Sequence, residues 1–271
     1  MTFQPAELAK ISFVLTLALH LNHVRGRVNK PANLLALAVH VLLPVLAIHI
    51  QGDDGTALVF LGIGLVMVFA GGISGWLVAG GLAAAGGGAA LLLKLRPGLL
   101  KGYQAKRIFA VRDPENPALA DIAYQQNKGA MAIGTGGWTG TGRWGEHVFE
   151  PNSWNDIIFS YQANARGFAG AVSVLVLLLG SSVRMLRAAL QSTDALGRYL
   201  CVGIFAALFW QSIINLGMNL QVLPVIGVTL PFFSAGGSSV VMVYLCVGLV
   251  LAVSRKNRRK KLAMPIELEL V

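Results

Sequence analysis

One carboxylate in this sequence stands where acid–base chemistry is readily set up. Asp156 lies in Ser153-Trp154-Asn155-Asp156-Ile157-Ile158-Phe159, where a polar stretch gives way to an apolar one. A carboxyl group at such a boundary is half desolvated, which raises its proton affinity toward that of a general base. The same position suits an N-terminal helix cap, because aspartate accepts bonds from the first free N–H groups of a helix. Glu7 and Lys10 are spaced i, i+3 at the start of an apolar run. They form either a local ion pair or part of a polar cavity, since ionisable groups inside a membrane span are costly and often functional. Asp53 and Asp54 precede Gly55-Thr56, where acids suit a helix N-terminus.

A second cluster lies late in the chain. Asn215, Gly217, Asn219, Pro224, Gly227, Pro231 and Ser234-Ala235-Gly236-Gly237-Ser238-Ser239 fall between two apolar segments. Proline and glycine free backbone groups that must be satisfied again by protein or by a wet cavity. The stretch therefore reads as a cavity wall, re-entrant in character. Gly134, Gly136, Gly137, Gly140 and Gly142 form another cluster, suited to tight turns and to close approach of backbone to a ligand. The histidines, His20, His23, His40, His49 and His147, show no metal-ligand spacing. No Walker loop, dinucleotide fingerprint or Gly-x-Ser-x-Gly elbow is present, so ATP-driven transport by this chain has no support.

The elements that must position these residues follow from composition. Hydrophobic residues make up 55% of the 271 and charged residues 13%. A soluble domain carries roughly 25% charged residues to wet its surface. The chain is therefore an all-α integral membrane protein, a polytopic helical bundle, and not a disordered or nucleic-acid-binding protein. Apolar segments of span length occur at about 6–22, 32–50, 56–73, 75–93, 165–187, 196–218 and 234–254. The glycines of the third and fourth, including Gly71, Gly75, Gly86, Gly87 and Gly88, predict close helix packing. Cys201 and Cys246 sit inside apolar segments and read as packing residues.

Charge sets the orientation. Arg25, Arg27 and Lys30 lie between the first two segments, and Arg184, Arg187 and Arg198 bracket the link between the fifth and sixth. Arg255, Lys256, Arg258, Arg259, Lys260 and Lys261 follow the last. Lys and Arg mark the cytoplasmic side of short loops. With seven alternating spans all three basic regions share that side. Residues 1–271 then form one membrane domain, with a large extracytoplasmic loop at 95–156 and a basic cytoplasmic tail at 255–271. Residue 1 lies outside, which predicts either unaided translocation or an odd number of preceding helices absent from this chain.

These motifs resemble those of the SEDS proteins, the RodA, FtsW and SpoVE group. Phe3-Gln4-Pro5-Ala6-Glu7-Leu8-Ala9-Lys10 resembles the family's QPSELAK signature, and Gly55-Thr56-Ala57-Leu58-Val59 its GTALV. Ala132-Ile133-Gly134-Thr135-Gly136-Gly137 is similar to AIGSGG. The run from Ile214 to Ser239, INLGMNLQVLPVIGVTLPFFSAGGSS, is similar to NIGMNLGLLPVTGIPLPFxSYGGSS. The family's HTDFIFAVxAEELGxxG aligns without gaps to residues 154–170, placing Asp156 on the catalytic aspartate. Departures are clear. Asn164 and Ala165 replace the glutamate pair, Arg166 replaces a leucine, Gly52-Asp53 replaces Pro-Asp, and Ile226 and Thr229 replace Thr and Pro.

The resemblance implies a ten-helix fold whose last seven helices match this chain. It implies a bacterial plasma-membrane peptidoglycan glycosyltransferase that polymerises lipid II at the outer face, releasing undecaprenyl pyrophosphate. It also implies a class B penicillin-binding protein as partner. Asp156 is the expected base. Glu7, Lys10, Gly136, Gly137, Asn215, Asn219, Ser234, Gly236, Gly237 and Ser238 are expected at the substrate cavity, with Lys106, Arg107 or Lys128 holding the departing pyrophosphate. No cofactor is called for, and a divalent cation is left open. A lipid-linked precursor flippase and a non-catalytic scaffold are the competing readings.

Overall fold

The computed structural model describes residues 4–95, 103–113, 116–142, 145 and 154–263. Phe3, His147, Ser153 and the tail beyond Ala263 lie outside the described residues, as do the remaining parts of the 95–156 segment. Every described element is helical. The order is α1 (Pro5–His23), α2 (Pro31–Ile50), α3 (Asp54–Ala70), α4 (Gly75–Leu95), α5 (Tyr103–Arg112), a 3-10 turn (Pro117–Leu119), α6 (Ala120–Thr135), α7 (Ile158–Leu190), α8 (Ala195–Asn219) and α9 (Gly237–Ala263). Each predicted apolar segment coincides with one of the long helices. By length and composition α2, α7, α8 and the Gly237–Arg259 part of α9 suffice to cross a membrane, while α3 is apolar but has 17 residues. The protein is a multi-pass helical membrane protein.

Helix starts follow local chemistry. Pro5 and Pro31 occupy the first turns of α1 and α2, where a missing N–H costs nothing. Asp53 caps α3 by accepting from the Thr56 N–H at 2.9 Å, which settles its capping role. Asp54 instead bonds His49 Nδ1 at 2.6 Å. The segment expected as a loop at 95–156 holds α5, the 3-10 turn and α6. Its apolar periodicity is too weak to mark helices in sequence. The basic run expected as a tail continues α9 to Ala263, since Lys and Arg are good helix formers and Pro265 is the first breaker.

The core joins α1, α3, α8 and α9 through Leu17, Leu21, Ile63, Met67, Cys201, Ile204, Met242 and Cys246. α8 is the central post: 61% of its most apolar stretch is enclosed, against 11% for α2 at the periphery. Glycine permits close approach on α3. A Cβ at Gly62 or Gly64 would meet the Trp210 ring or Val41 below 3.0 Å. The packing expectation fails on α4, where Gly75, Gly86, Gly87 and Gly88 face open space. Small residues allow close packing only where another helix approaches.

Helix α7 is broken at Gly167 (φ 65°, ψ −164°). The glycine cluster before it satisfies the break. Thr141 and Gly142 donate backbone N–H groups to the carbonyls of Asn164 and Ala165, and Phe168 and Ala169 donate to those of Gly137 and Trp138.

Candidate active site

The turn carrying Asp156 is held from one side by three consecutive carbonyls. The Ala235 N–H donates to Trp154 O at 2.9 Å. The Ser234 hydroxyl donates to Asn155 O at 2.6 Å. The amides of Asn215 and Asn219 donate to Asp156 O at 2.8 and 3.0 Å. Asn215 also donates to Val228 O, and Asn219 Oδ1 accepts from both the backbone and the hydroxyl of Ser160. These two asparagines, one turn apart on α8, are buried and spend their amides on protein groups.

The Asp156 side chain is left free by this clasp. Ile157, not Asp156, is the cap residue of α7, and no side-chain cap bond forms. Among the described residues the Asp156 carboxylate has no hydrogen-bond or ion-pair partner. It is half-buried, and desolvation holds its pKa above the ordinary aspartate value. The carboxylate lines a cleft of about 350 Å³ with Gln4, Pro5, Asn155, Gly227, Thr229, Gly236, Ser238 and Ser239. Gly227, at φ 67°, faces it: a Cβ there would stand 3.7 Å from Asp156 Oδ2. A small second hollow below is lined by Gln125, Gln126, Gly129, Asp156 and Asn219, among others.

The cleft floor connects to a buried ion pair. Lys10 Nζ donates to Glu7 Oε1 at 2.8 Å and to Gln211 Oε1 at 2.9 Å. Gln211 Nε2 donates to Thr229 O and Thr229 Oγ1 at 3.1 and 2.8 Å, and Thr229 Oγ1 lies 3.0 Å from Ser239 Oγ. Polar groups thus run without a gap from the α1 ion pair to two lining hydroxyls. At the rim, Gln4 donates through its backbone N–H to Ser238 Oγ and through Nε2 to Asp53 Oδ2.

The structure therefore brings together Asp156, Gly236 and Ser238 in the lining, with Gly237 opening α9, Ser234, Asn215 and Asn219 behind the Asp156 turn, and Glu7 and Lys10 beneath. Gly136 and Gly137 stand apart. A Cβ at Gly136 would strike Ala163 O at 2.2 Å, so this glycine serves packing against α7. Lys106 and Arg107 on α5 and Lys128 on α6 are not among the cleft-lining residues, and Lys128 lies 5.8 Å over the Tyr124 ring. No three His, Cys, Asp or Glu side chains come together to hold a metal among the described residues. Sequence reasoning missed Gln211. Its signal was a lone long amide in the middle of an apolar span, where a polar group needs a partner.

The family model FTSW_RODA_SPOVE, described as "Cell cycle protein", matches residues 1–259. The chain is 35% identical over 266 residues to the probable peptidoglycan glycosyltransferase FtsW of Thioalkalivibrio sulfidiphilus, with 94% of this chain and 64% of that protein covered. It is 30% identical over 269 residues to the peptidoglycan glycosyltransferase MrdB of Escherichia coli K12, covering 97% of this chain and 70% of MrdB. Among solved structures, a chain from work on "Structural coordination of polymerization and crosslinking by a peptidoglycan synthase complex" superposes with TM-score 0.77 at 32% identity, over 95% of this chain and 71% of that one. The rod shape determining protein RodA of Thermus thermophilus gives TM-score 0.62 at 30% identity, over 95% and 67%. The chain spans about two thirds of the length of these relatives. It belongs to the FtsW/RodA/SpoVE family of cell cycle proteins.

Proposed function

We propose that the protein is a peptidoglycan glycosyltransferase that joins lipid II units into glycan strands, with Asp156 as general base. The observation that carries this reading is the unpartnered, half-desolvated Asp156 carboxylate in a polar cleft, its backbone fixed from α8 and the 220–236 segment. Asp156 takes the proton of the acceptor sugar 4-hydroxyl. The hydroxyl oxygen forms the new bond to the donor anomeric carbon. The bond from that carbon to the pyrophosphate oxygen breaks, and undecaprenyl pyrophosphate leaves with the electron pair. A single displacement inverts the α-linked donor to a β-linked glycan.

Ser238, Ser239, Thr229 and Gln4 supply hydroxyl and amide groups for sugar hydroxyls. Of the three basic residues considered for the pyrophosphate, Lys128 is best placed, because α6 borders the hollow beneath Asp156 through Gln125, Gln126 and Gly129. Charge supports seven spans with the Asp156 cleft outside. Asp53, Asp54 and Asp156 lie at one end of the helices, and Arg25, Arg27, Lys30, Arg184, Arg187, Arg198 and the α9 basic run lie at the other. A class B penicillin-binding protein is the proposed partner, consistent with the likeness to a synthase complex that couples polymerisation and crosslinking.

The test follows glycan polymer formed from purified lipid II by the detergent-solubilised protein. Asp156→Asn is expected to lower polymerisation by roughly 10²–10⁴-fold. Unchanged polymer would reject Asp156 as the base. Flipping of lipid II in proteoliposomes, with no polymer formed in detergent, would favour the transporter reading.

A further inference from the structure

At the end of the bundle opposite Asp156, α7 and α9 diverge and leave an open groove that the proposed reaction does not use. Two adjoining hollows of about 510 and 610 Å³ share Ala188, Gln191, Leu251 and Ser254. The wall toward the membrane interior is apolar: Met185, Val247, Val250, Leu251 and Phe232. Phe232 is held at φ 69°, a strained conformation for a residue with a Cβ, and closes the apolar end. The other end is basic. Arg184 and Arg187 approach from α7, and Arg255 and Arg258 from α9. Among the described residues none of these four arginines has a hydrogen-bond or ion-pair partner. The carboxylate described at this end, Asp194, bonds Lys256 at 3.1 Å.

A buried amide stands beside the basic end. Asn257 lines the groove and is 6% exposed. Its Oδ1 accepts from the Thr193 backbone and hydroxyl, while its Nδ2 is buried and has no partner. A buried donor without an acceptor is costly. The site therefore combines four arginines that have no counter-charge among the described residues with an apolar channel of acyl-chain character in one continuous groove. A soluble anion would leave the apolar wall bare, and an apolar helix would leave the arginines uncompensated.

We propose that this groove binds an anionic phospholipid. The phosphodiester sits between Arg255 and Arg258, with Arg184 and Arg187 at its rim, and one acyl chain lies along Val250 and Val247 toward Phe232. Arginine suits this role through its bidentate match to phosphate oxygens. The site is separate from the Asp156 cleft and does not depend on the chemistry proposed there.

The test is native mass spectrometry of the purified full chain in detergent with equal amounts of dioleoyl phosphatidylglycerol and dioleoyl phosphatidylcholine. Phosphatidylglycerol is expected to be retained preferentially. The pair Arg255→Gln and Arg258→Gln is expected to weaken its retention by about fivefold per arginine removed. Arg25→Gln with Arg27→Gln, at the same end of the bundle but outside the groove, is expected to leave retention unchanged. Ala188→Trp, which fills the groove without altering charge, is expected to abolish it. The four arginines are exposed and Ala188 is partly exposed. Equal retention of the two lipids, an equal effect of the two arginine pairs, displacement of bound lipid by inorganic phosphate alone, or a second copy of the chain in place of lipid would each overturn the proposal.

Discussion

The side-chain amide of Asn215 donates to the backbone carbonyl of Asp156 at 2.8 Å, while the carboxylate of the same aspartate takes no partner among the described residues. The main chain is tied and the carboxylate is left outside the clasp. Asn215→Ala removes the donor to Asp156 O and Val228 O, and is expected to cost about 1–3 kcal/mol of stability. Polymerisation should fall in the soluble fraction that still folds. Thermal unfolding together with single-turnover polymerisation of lipid II separates the two effects.

Asp156 yields a prediction about the pH dependence of activity. Burial raises its pKa, and a general base works only when deprotonated. Activity should therefore fall as pH is lowered, with the acid-limb midpoint above the ordinary aspartate range. A profile of kcat/KM against pH tests this. A midpoint at or below the value of a free aspartate would remove Asp156 from the role.

The same group bears on stability with the opposite sense. Between the unfolded and folded pKa values the folded protein retains a proton that the unfolded chain has released. Stability contributed at this site falls as pH rises through that interval and stays reduced at neutral pH. Asp156→Asn is expected to melt at or above the wild-type temperature at pH 7, with the difference vanishing below the ordinary aspartate pKa. Melting curves at several pH values check it.

Lys10 neutralises a carboxylate that is almost wholly enclosed. Lys10→Met leaves Glu7 without its counter-charge and is expected to cost about 3–5 kcal/mol, because one member of a buried pair cannot be removed cheaply. The double variant Glu7→Gln, Lys10→Met should recover part of that loss. Urea midpoints in detergent, compared across the wild type and the two variants, provide the measurement.

Gly167 tolerates no side chain. Its φ is positive, and a Cβ would stand 2.4–2.6 Å from the backbone of Gly140, Trp138 and Thr139. Gly167→Ala is expected to destabilise by at least about 2 kcal/mol, combining backbone strain with a clash. Gly86→Ala on α4, where nothing lies within 4 Å, is expected to be neutral or slightly stabilising.

Apolar length located the long helices, and the Asp156 boundary located the candidate base. Both signals are local, so sequence carries them. The capping alternative for Asp156 was decided by one residue of register: the cap fell on Ile157, which hydropathy does not resolve. Gln211 was overlooked because its meaning is tertiary. It bridges Lys10, 201 residues away, to Thr229. Gly136 and Gly137 were expected at substrate, but they pack against and bond the broken α7, a demand that arises only once α7 departs from a straight helix. The α6 helix went unseen because its polar face is broad and its apolar repeat short.

The three clasped carbonyls at positions 154–156 place an unusual burden of identity on very few side chains. Donors from Ala235, Ser234, Asn215 and Asn219 grip peptide oxygens, which every amino acid possesses. Drift at Trp154 or Asn155 therefore leaves the whereabouts of the acid intact. The place of the Asp156 carboxylate is thus written in residues 215–235, some sixty to eighty positions further along the chain, and not in its immediate neighbours.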